Sequence, residues 1–126
     1  MGKYEIRVRS RFSAAHYLRD YRGPCSRVHG HGFEVEVAVG GSELGRDQLL
    51  LDFHDLKEML QGVLDELDHR FLNEIPPFDR QSPTSENIAR LVYERMEREL
   101  ASTGRPVRLL WVGVAESPET WVIYRG

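Results

Sequence analysis

The sequence predicts an α+β domain: an antiparallel four-stranded sheet with two helices on one face, in the order ββααββ. Three observations carry this. Two segments near the N-terminus alternate apolar and polar residues with a period of two. Two central segments repeat apolar residues at helical spacing. Two further extended segments close the chain. Hairpins at both ends with helices between them leave the helices on one side of the sheet.

Each element has its own reason. In "YEIRVRS", Tyr4, Ile6 and Val8 alternate with Glu5, Arg7 and Arg9, so a first strand is expected over roughly 4–13. An irregular stretch follows to Gly30, with Arg22, Gly23 and Pro24 as a turn. The second strand is expected over roughly 32–40, with Phe33, Val35, Val37 and Val39 on one face. "QLLLDF" has the look of a short extended piece. Asp52 caps a first helix by accepting from a backbone N–H of its first turn. Leu56, Met59, Leu60, Val63, Leu64 and Leu67 form its apolar stripe, and its end is expected near Leu67 or Asp68. "NEIPPFDRQSP" reads as a loop. Thr84 or Ser85 caps a second helix, whose face is Ile88, Leu91, Val92, Met96 and Leu100. Gly104 and Pro106 stop it. "VRLLWVGVAE" and "TWVIYRG" form the last hairpin around "SPE".

Composition bounds the function. The chain has 126 residues, which suits one domain over 1–126, and 40% of them are hydrophobic, enough for a core. With 29% charged residues the expectation is a globular protein. No apolar run approaches bilayer length, and "MGKYEIRVRS" lacks the apolar centre of a secretory leader, so a cytoplasmic location and no membrane partner are expected. A net charge of −3 argues against bulk electrostatic binding of nucleic acid. Four strands with two raw edges invite pairing with other copies, so a homo-oligomer is expected.

The chemistry-bearing residues concentrate in "CSRVHGHGFEVEVAV". Residues two apart on a strand share a face, so His29 and His31 present two imidazoles side by side, a common way to hold zinc. His16 ends the first strand and comes near them if the first two strands form a hairpin. Three histidines leave a fourth zinc position open, as catalytic sites do. Cys25, the only cysteine, has three readings: a fourth ligand, a free thiolate beside the metal, or a buried inert thiol. Asp68 beside His69 suits a charge-stabilised imidazole, or a solvated helix end. Glu116 at a strand end can accept two hydrogen bonds from an amino-pyrimidine edge. Thr84 and Ser85 serve as caps and, at an exposed helix N-terminus, face ligands as well.

Together these segments resemble the 6-pyruvoyl-tetrahydropterin synthase family. The resemblance runs through "FSAAH", "CSRVHGHGF", "LLLDFHDLK", "LDHRFLN", "PTSENIA", "GVAE" and "VIYRG", in order and at similar spacing. The short gap from Cys25 to "HGH" is similar to the branch that makes 6-carboxytetrahydropterin for queuosine. The branch making the 6-pyruvoyl product has a longer gap. The resemblance implies the T-fold (tunnelling fold), in which sheets of three subunits close a barrel and two trimers stack into a hexamer, with active sites between subunits. It implies Zn²⁺ on His16, His29 and His31. It implies catalysis by Cys25, as a thiolate base, and by the Asp68–His69 pair. It implies pterin anchoring by Glu116, with Thr84 and Ser85 lining the same pocket. The implied substrate is the pterin triphosphate 7,8-dihydroneopterin triphosphate. Arg11, Arg22 and Arg27 lie near in sequence for its phosphates.

Overall fold

In the computed structural model of the chain, residues 2–19, 23 and 27–126 are described. Strand β1 (Tyr4–His16) pairs antiparallel with β2 (His29–Gly41) along their whole length, from Tyr4↔Gly41 to His16↔His29. Helix α1 (Phe53–Leu64) follows, then a two-residue strand β3 (Arg70–Phe71) and a 3-10 turn (Leu72–Glu74). Helix α2 (Ser85–Ala101) leads into the hairpin of β4 (Arg108–Ser117) and β5 (Thr120–Tyr124). The sheet order is β3-β1-β2-β4-β5.

Period two puts Val8 and Phe12 of β1 and Phe33, Val35, Val37 and Val39 of β2 on one face, where Val112 and Val114 of β4 join them. Leu56, Leu60, Val63 and Leu64 of α1 and Ile88, Val92, Met96 and Leu100 of α2 close over that face. Fully burying one such side chain contributes roughly 1.5–3 kcal/mol. Phe12 and Phe33 stack with ring centroids 4.9 Å apart and form the end of the core nearest the histidines. The opposite face carries Arg7, Arg9, Arg11, Glu34 and Glu36 on β1 and β2, and is left uncovered by helices. There Glu36 pairs with Arg9 at 3.3 Å, and Arg9 lies over Trp121.

The α+β layering with both helices on one face is as expected, and it is the T-fold. Four details differ. The sheet has five strands, not four, and β3 pairs parallel with β1 through Ala14↔Arg70 and Ala15↔Phe71. A two-residue strand is too short to show alternation. Strands β1 and β2 run on to His16 and back to His29, past the expected ends, because their ladder continues to the histidines. The residues of "QLLLDF" form turns and the start of α1, with Leu50 and Leu51 buried, and not a strand. Helix α1 ends at Leu64, short of Leu67. A further turn of 64–68 then carries the chain toward β1, with Leu67 and Asp68 N–H groups both donating to the Leu64 carbonyl at 2.9 Å. Leu67 remains buried at 2% exposure.

Candidate functional site

The β1–β2 register builds the candidate site. His16 faces His29 across the ladder and Ala14 faces His31, so all three imidazoles share the helix-side face at the end of the core. One ring nitrogen from each lies within 4.8 Å of the others. His16 is fully buried, while His29 and His31 are half-buried. The Nδ1–H of His16 donates to the Pro83 carbonyl at 2.7 Å, and the Nδ1–H of His29 donates to the Arg27 carbonyl at 2.8 Å. A ring that donates at Nδ1 keeps its lone pair on Nε2. Nε2 of His16 approaches Nε2 of His31 at 2.8 Å. Burial pushes the His16 pKa below its usual value, against the Pro83 hydrogen bond, which raises it. Burial lowers that of His31 too, with Glu116 opposing. Imidazoles held at Nδ1 by backbone carbonyls, as in His16 and His29, offer Nε2 to a metal, and with His31 converging on them the donor set fits zinc.

Glu116 lies one residue past the pair Glu34↔Ala115, on β4. Its carboxylate oxygens are each 3.9 Å from a histidine nitrogen, Nε2 of His16 and Nε2 of His31. The Ser85 hydroxyl donates to Glu116 at 3.1 Å. Thr84 is the N-cap of α2 and accepts from the Asn87 N–H at 3.1 Å. The start of α2 thus holds His16 through Pro83 and Glu116 through Ser85. The positive end of the helix dipole points at the carboxylate.

Asp68 and His69 form a separate unit. The Ser13 N–H donates to Asp68 at 2.9 Å, and Nδ1 of His69 lies 3.0 Å from the other oxygen of that carboxylate. The His69 N–H donates back to the Ser13 carbonyl at 2.6 Å, and His69 adopts φ 58. The Ser13 bond, aided by His69, holds the Asp68 carboxyl below its usual pKa, although burial opposes it. The His69 ring is 83% exposed and borders an open depression of about 540 Å³. Ser13, Ala15, Gly30, Gly32, Arg70 and Phe71 line it as well, and His31 borders both it and the histidine cluster.

Of the residues singled out in the sequence, His16, His29, His31, Glu116, Ser85 and Thr84 therefore meet at one place. Asp68 and His69 contact each other and Ser13, and form no hydrogen bond or ion pair with that cluster among the described residues. Cys25 and Arg22 lie outside the described residues. Two groups escaped the sequence reading. One is the Pro83 carbonyl, a backbone atom of a loop, which leaves no side-chain signal. The other is Asn73, buried at 6% exposure, whose amide accepts from the Tyr17 N–H at 2.9 Å and donates to the Tyr17 carbonyl at 3.1 Å. Its signal was an amide directly after the apolar pair Phe71-Leu72 in "RFLNEI".

The family model for 6-pyruvoyl tetrahydropterin synthase matches residues 5–126. The chain belongs to the 6-pyruvoyl tetrahydropterin synthase family. Within this family it is 35% identical to the 6-carboxy-5,6,7,8-tetrahydropterin synthase of Bacillus subtilis, over 97% of this chain and 85% of that one. It is 38% identical to a dihydroneopterin monophosphate aldolase of Pyrococcus furiosus, over 88% of this chain and 91% of the other. The 6-pyruvoyl tetrahydropterin synthase of Caenorhabditis elegans superimposes with a TM-score of 0.85 at 26% identity, covering 98% of this chain and 95% of that one.

Proposed function

We propose that the chain is a zinc-dependent 6-carboxy-5,6,7,8-tetrahydropterin synthase of queuosine biosynthesis. It takes 7,8-dihydroneopterin triphosphate and one water to 6-carboxytetrahydropterin, acetaldehyde and triphosphate. The observation that carries the reading is the convergence of three histidine nitrogens within 4.8 Å beside the Ser85-held carboxylate of Glu116. The identity to the relative of that name supports the product assignment.

His16, His29 and His31 hold the metal, and Glu116 accepts from the amino-pyrimidine edge of the pterin and sets its register. Zinc, when bound, supplies Lewis-acid polarisation of the substrate side-chain oxygens. Cys25 is the thiolate base that removes the proton from the side-chain carbon next to the ring. Asp68 orients and charges His69, which passes protons to and from the reacting side chain. Asp68 and His69 are built on the edge of β1 at the backbone of Ser13, and the exposed His69 ring makes no hydrogen bond or ion pair with the three histidines among the described residues. This supports a site completed between subunits, with His69 from one copy and the metal from another, in a hexamer of two trimers.

The test is incubation of zinc-loaded protein with dihydroneopterin triphosphate and measurement of product mass. The 6-carboxy product with acetaldehyde is expected; the 6-pyruvoyl product or an aldol cleavage product would reassign the branch. The aldol outcome is the second reading, favoured by the 38% identity to the Pyrococcus furiosus aldolase.

A further inference from the structure

We infer that Arg19 is a positioning residue for the metal ligand His16, an inference that rests on the metal reading above. The His16 ring is oriented through its Nδ1–H, which donates to the Pro83 carbonyl at 2.7 Å. The two ends of that bond lie 67 positions apart in the chain, at the end of β1 and in the loop before α2. Arg19, three residues past His16, bridges the same two segments. Its Nη1 donates to the Phe78 carbonyl at 2.7 Å and to the Gln81 carbonyl at 2.8 Å. Its Nη2 donates to the Asp79 carbonyl at 3.4 Å. Its backbone N–H donates to the Ser82 hydroxyl at 2.9 Å. The residue after Ser82 is Pro83 itself.

Both segments are fixed on either side of this bridge. Asn73 pairs with the N–H and the carbonyl of Tyr17, so the chain between His16 and Arg19 has one path. The Ser82 carbonyl accepts from the Thr84 N–H and the Asn87 amide, each at 2.8 Å, which ties it to the start of α2. Phe78 is fully buried in the core, whereas residues 79–81 are exposed, and it is across this exposed stretch that the guanidinium reaches. The Tyr17 ring lies under it, 5.5 Å from Cζ. Among the described residues Arg19 forms no ion pair, so its charged donors serve carbonyl oxygens. Charged donors make the stronger hydrogen bonds, and a planar guanidinium can satisfy several acceptors at fixed angles. Groups behind a metal-binding histidine set its ring orientation and its tautomer, and their loss weakens metal binding by about 10–100-fold. Without Arg19 the Pro83 carbonyl loses its tie to the strand that carries His16.

The experiment sets wild type beside Arg19→Gln and, as a control for lost stability, Asp52→Ala, which removes the cap bond of α1. Zinc affinity is read by competition with a chromophoric chelator. The His16 tautomer is read in the metal-free protein by NMR of ¹⁵N-labelled histidine, at a pH above the histidine range. Thermal melts check folding. Arg19→Gln is expected to weaken zinc by about tenfold and to replace the single Nδ1–H form of His16 with a mixture of tautomers. Asp52→Ala is expected to change neither. Should Arg19→Gln fail to fold, Ser82→Ala removes only the acceptor of the Arg19 N–H and is expected to shift both readouts in the same direction. Wild-type affinity and tautomer in the folded variant, or an equal loss in Asp52→Ala, would overturn the role of Arg19. A wild-type protein that binds no zinc, yet loses the Nδ1–H form in the variant, would leave that role standing and overturn the metal reading.

Discussion

His16 shows how one residue can order a site. It is fully buried, donates from Nδ1 to the Pro83 carbonyl, and presents Nε2 to His31 and Glu116. The proposed roles, ligand for the histidines and base for Cys25, separate two predictions. His29→Ala is expected to lose bound zinc and turnover together, by metal analysis and product assay. Cys25→Ala is expected to keep its zinc and lose at least about a hundredfold in turnover. Zinc lost from Cys25→Ala would move the thiolate into the metal shell. Asp68 gives a pH test of another kind. Its folded pKa lies below its unfolded value of 3.8, chiefly because of the Ser13 N–H. A depressed carboxylate pKa contributes stability that is complete above the unfolded value and is lost as pH falls through the folded one. The urea midpoint of wild type should therefore exceed that of Asp68→Asn at neutral pH. The gap should close as pH falls below about 3.8. A gap that is constant with pH would mean that the carboxylate charge contributes nothing.

The start of α2 joins fold and site at the scale of an element. Thr84→Ala removes the cap bond to Asn87 and should cost about 1 kcal/mol in denaturant unfolding. Asp52→Ala removes the matching bond to the His54 N–H of α1, at 2.7 Å, and should cost about as much. Only the first should also weaken pterin binding, because Pro83 and Ser85 flank Thr84 and hold His16 and Glu116. Equal binding in the two variants would show that the α2 terminus does not position the site. The same contrast explains what could be read from the chain. Alternation placed Phe33, Val35, Val37 and Val39 on one face, and its continuation placed His29 and His31 there too. The helical stripes of α1 and α2 were visible for the same reason, since burial repeats with the period of the element. Strand β3, with two residues, has no period to read. The Pro83 carbonyl is invisible in a sequence because every residue carries one. The positive φ of His69 was hidden as well, since no glycine or asparagine marks it.

At the scale of the molecule, helices cover one face of the sheet, the three histidines gather at one end of the β1–β2 ladder, and the Asp68–His69 pair is built on the β1 edge that β3 joins. The proposed sharing of active sites between copies predicts a complementation result. Cys25→Ala and His69→Ala proteins, each inactive, should regain activity when unfolded together and refolded as mixed oligomers. No recovery would place both residues in one chain's site. The β1–β2 ladder has one more consequence, and it concerns time. All three histidines fall between positions 16 and 31, so closing a single hairpin assembles the whole ligand set. Glu116 reaches it only when β4 docks on β2, a contact between residues about eighty positions apart in the chain. Short loops close at lower entropic cost and earlier than long ones. Zinc present at the start of refolding should therefore speed the first stopped-flow phase, whereas Glu116→Gln should leave that phase unchanged. A refolding rate indifferent to zinc would mean that the hairpin waits for the rest of the sheet. If zinc does speed it, the metal guides the chain to its fold before it takes part in any reaction.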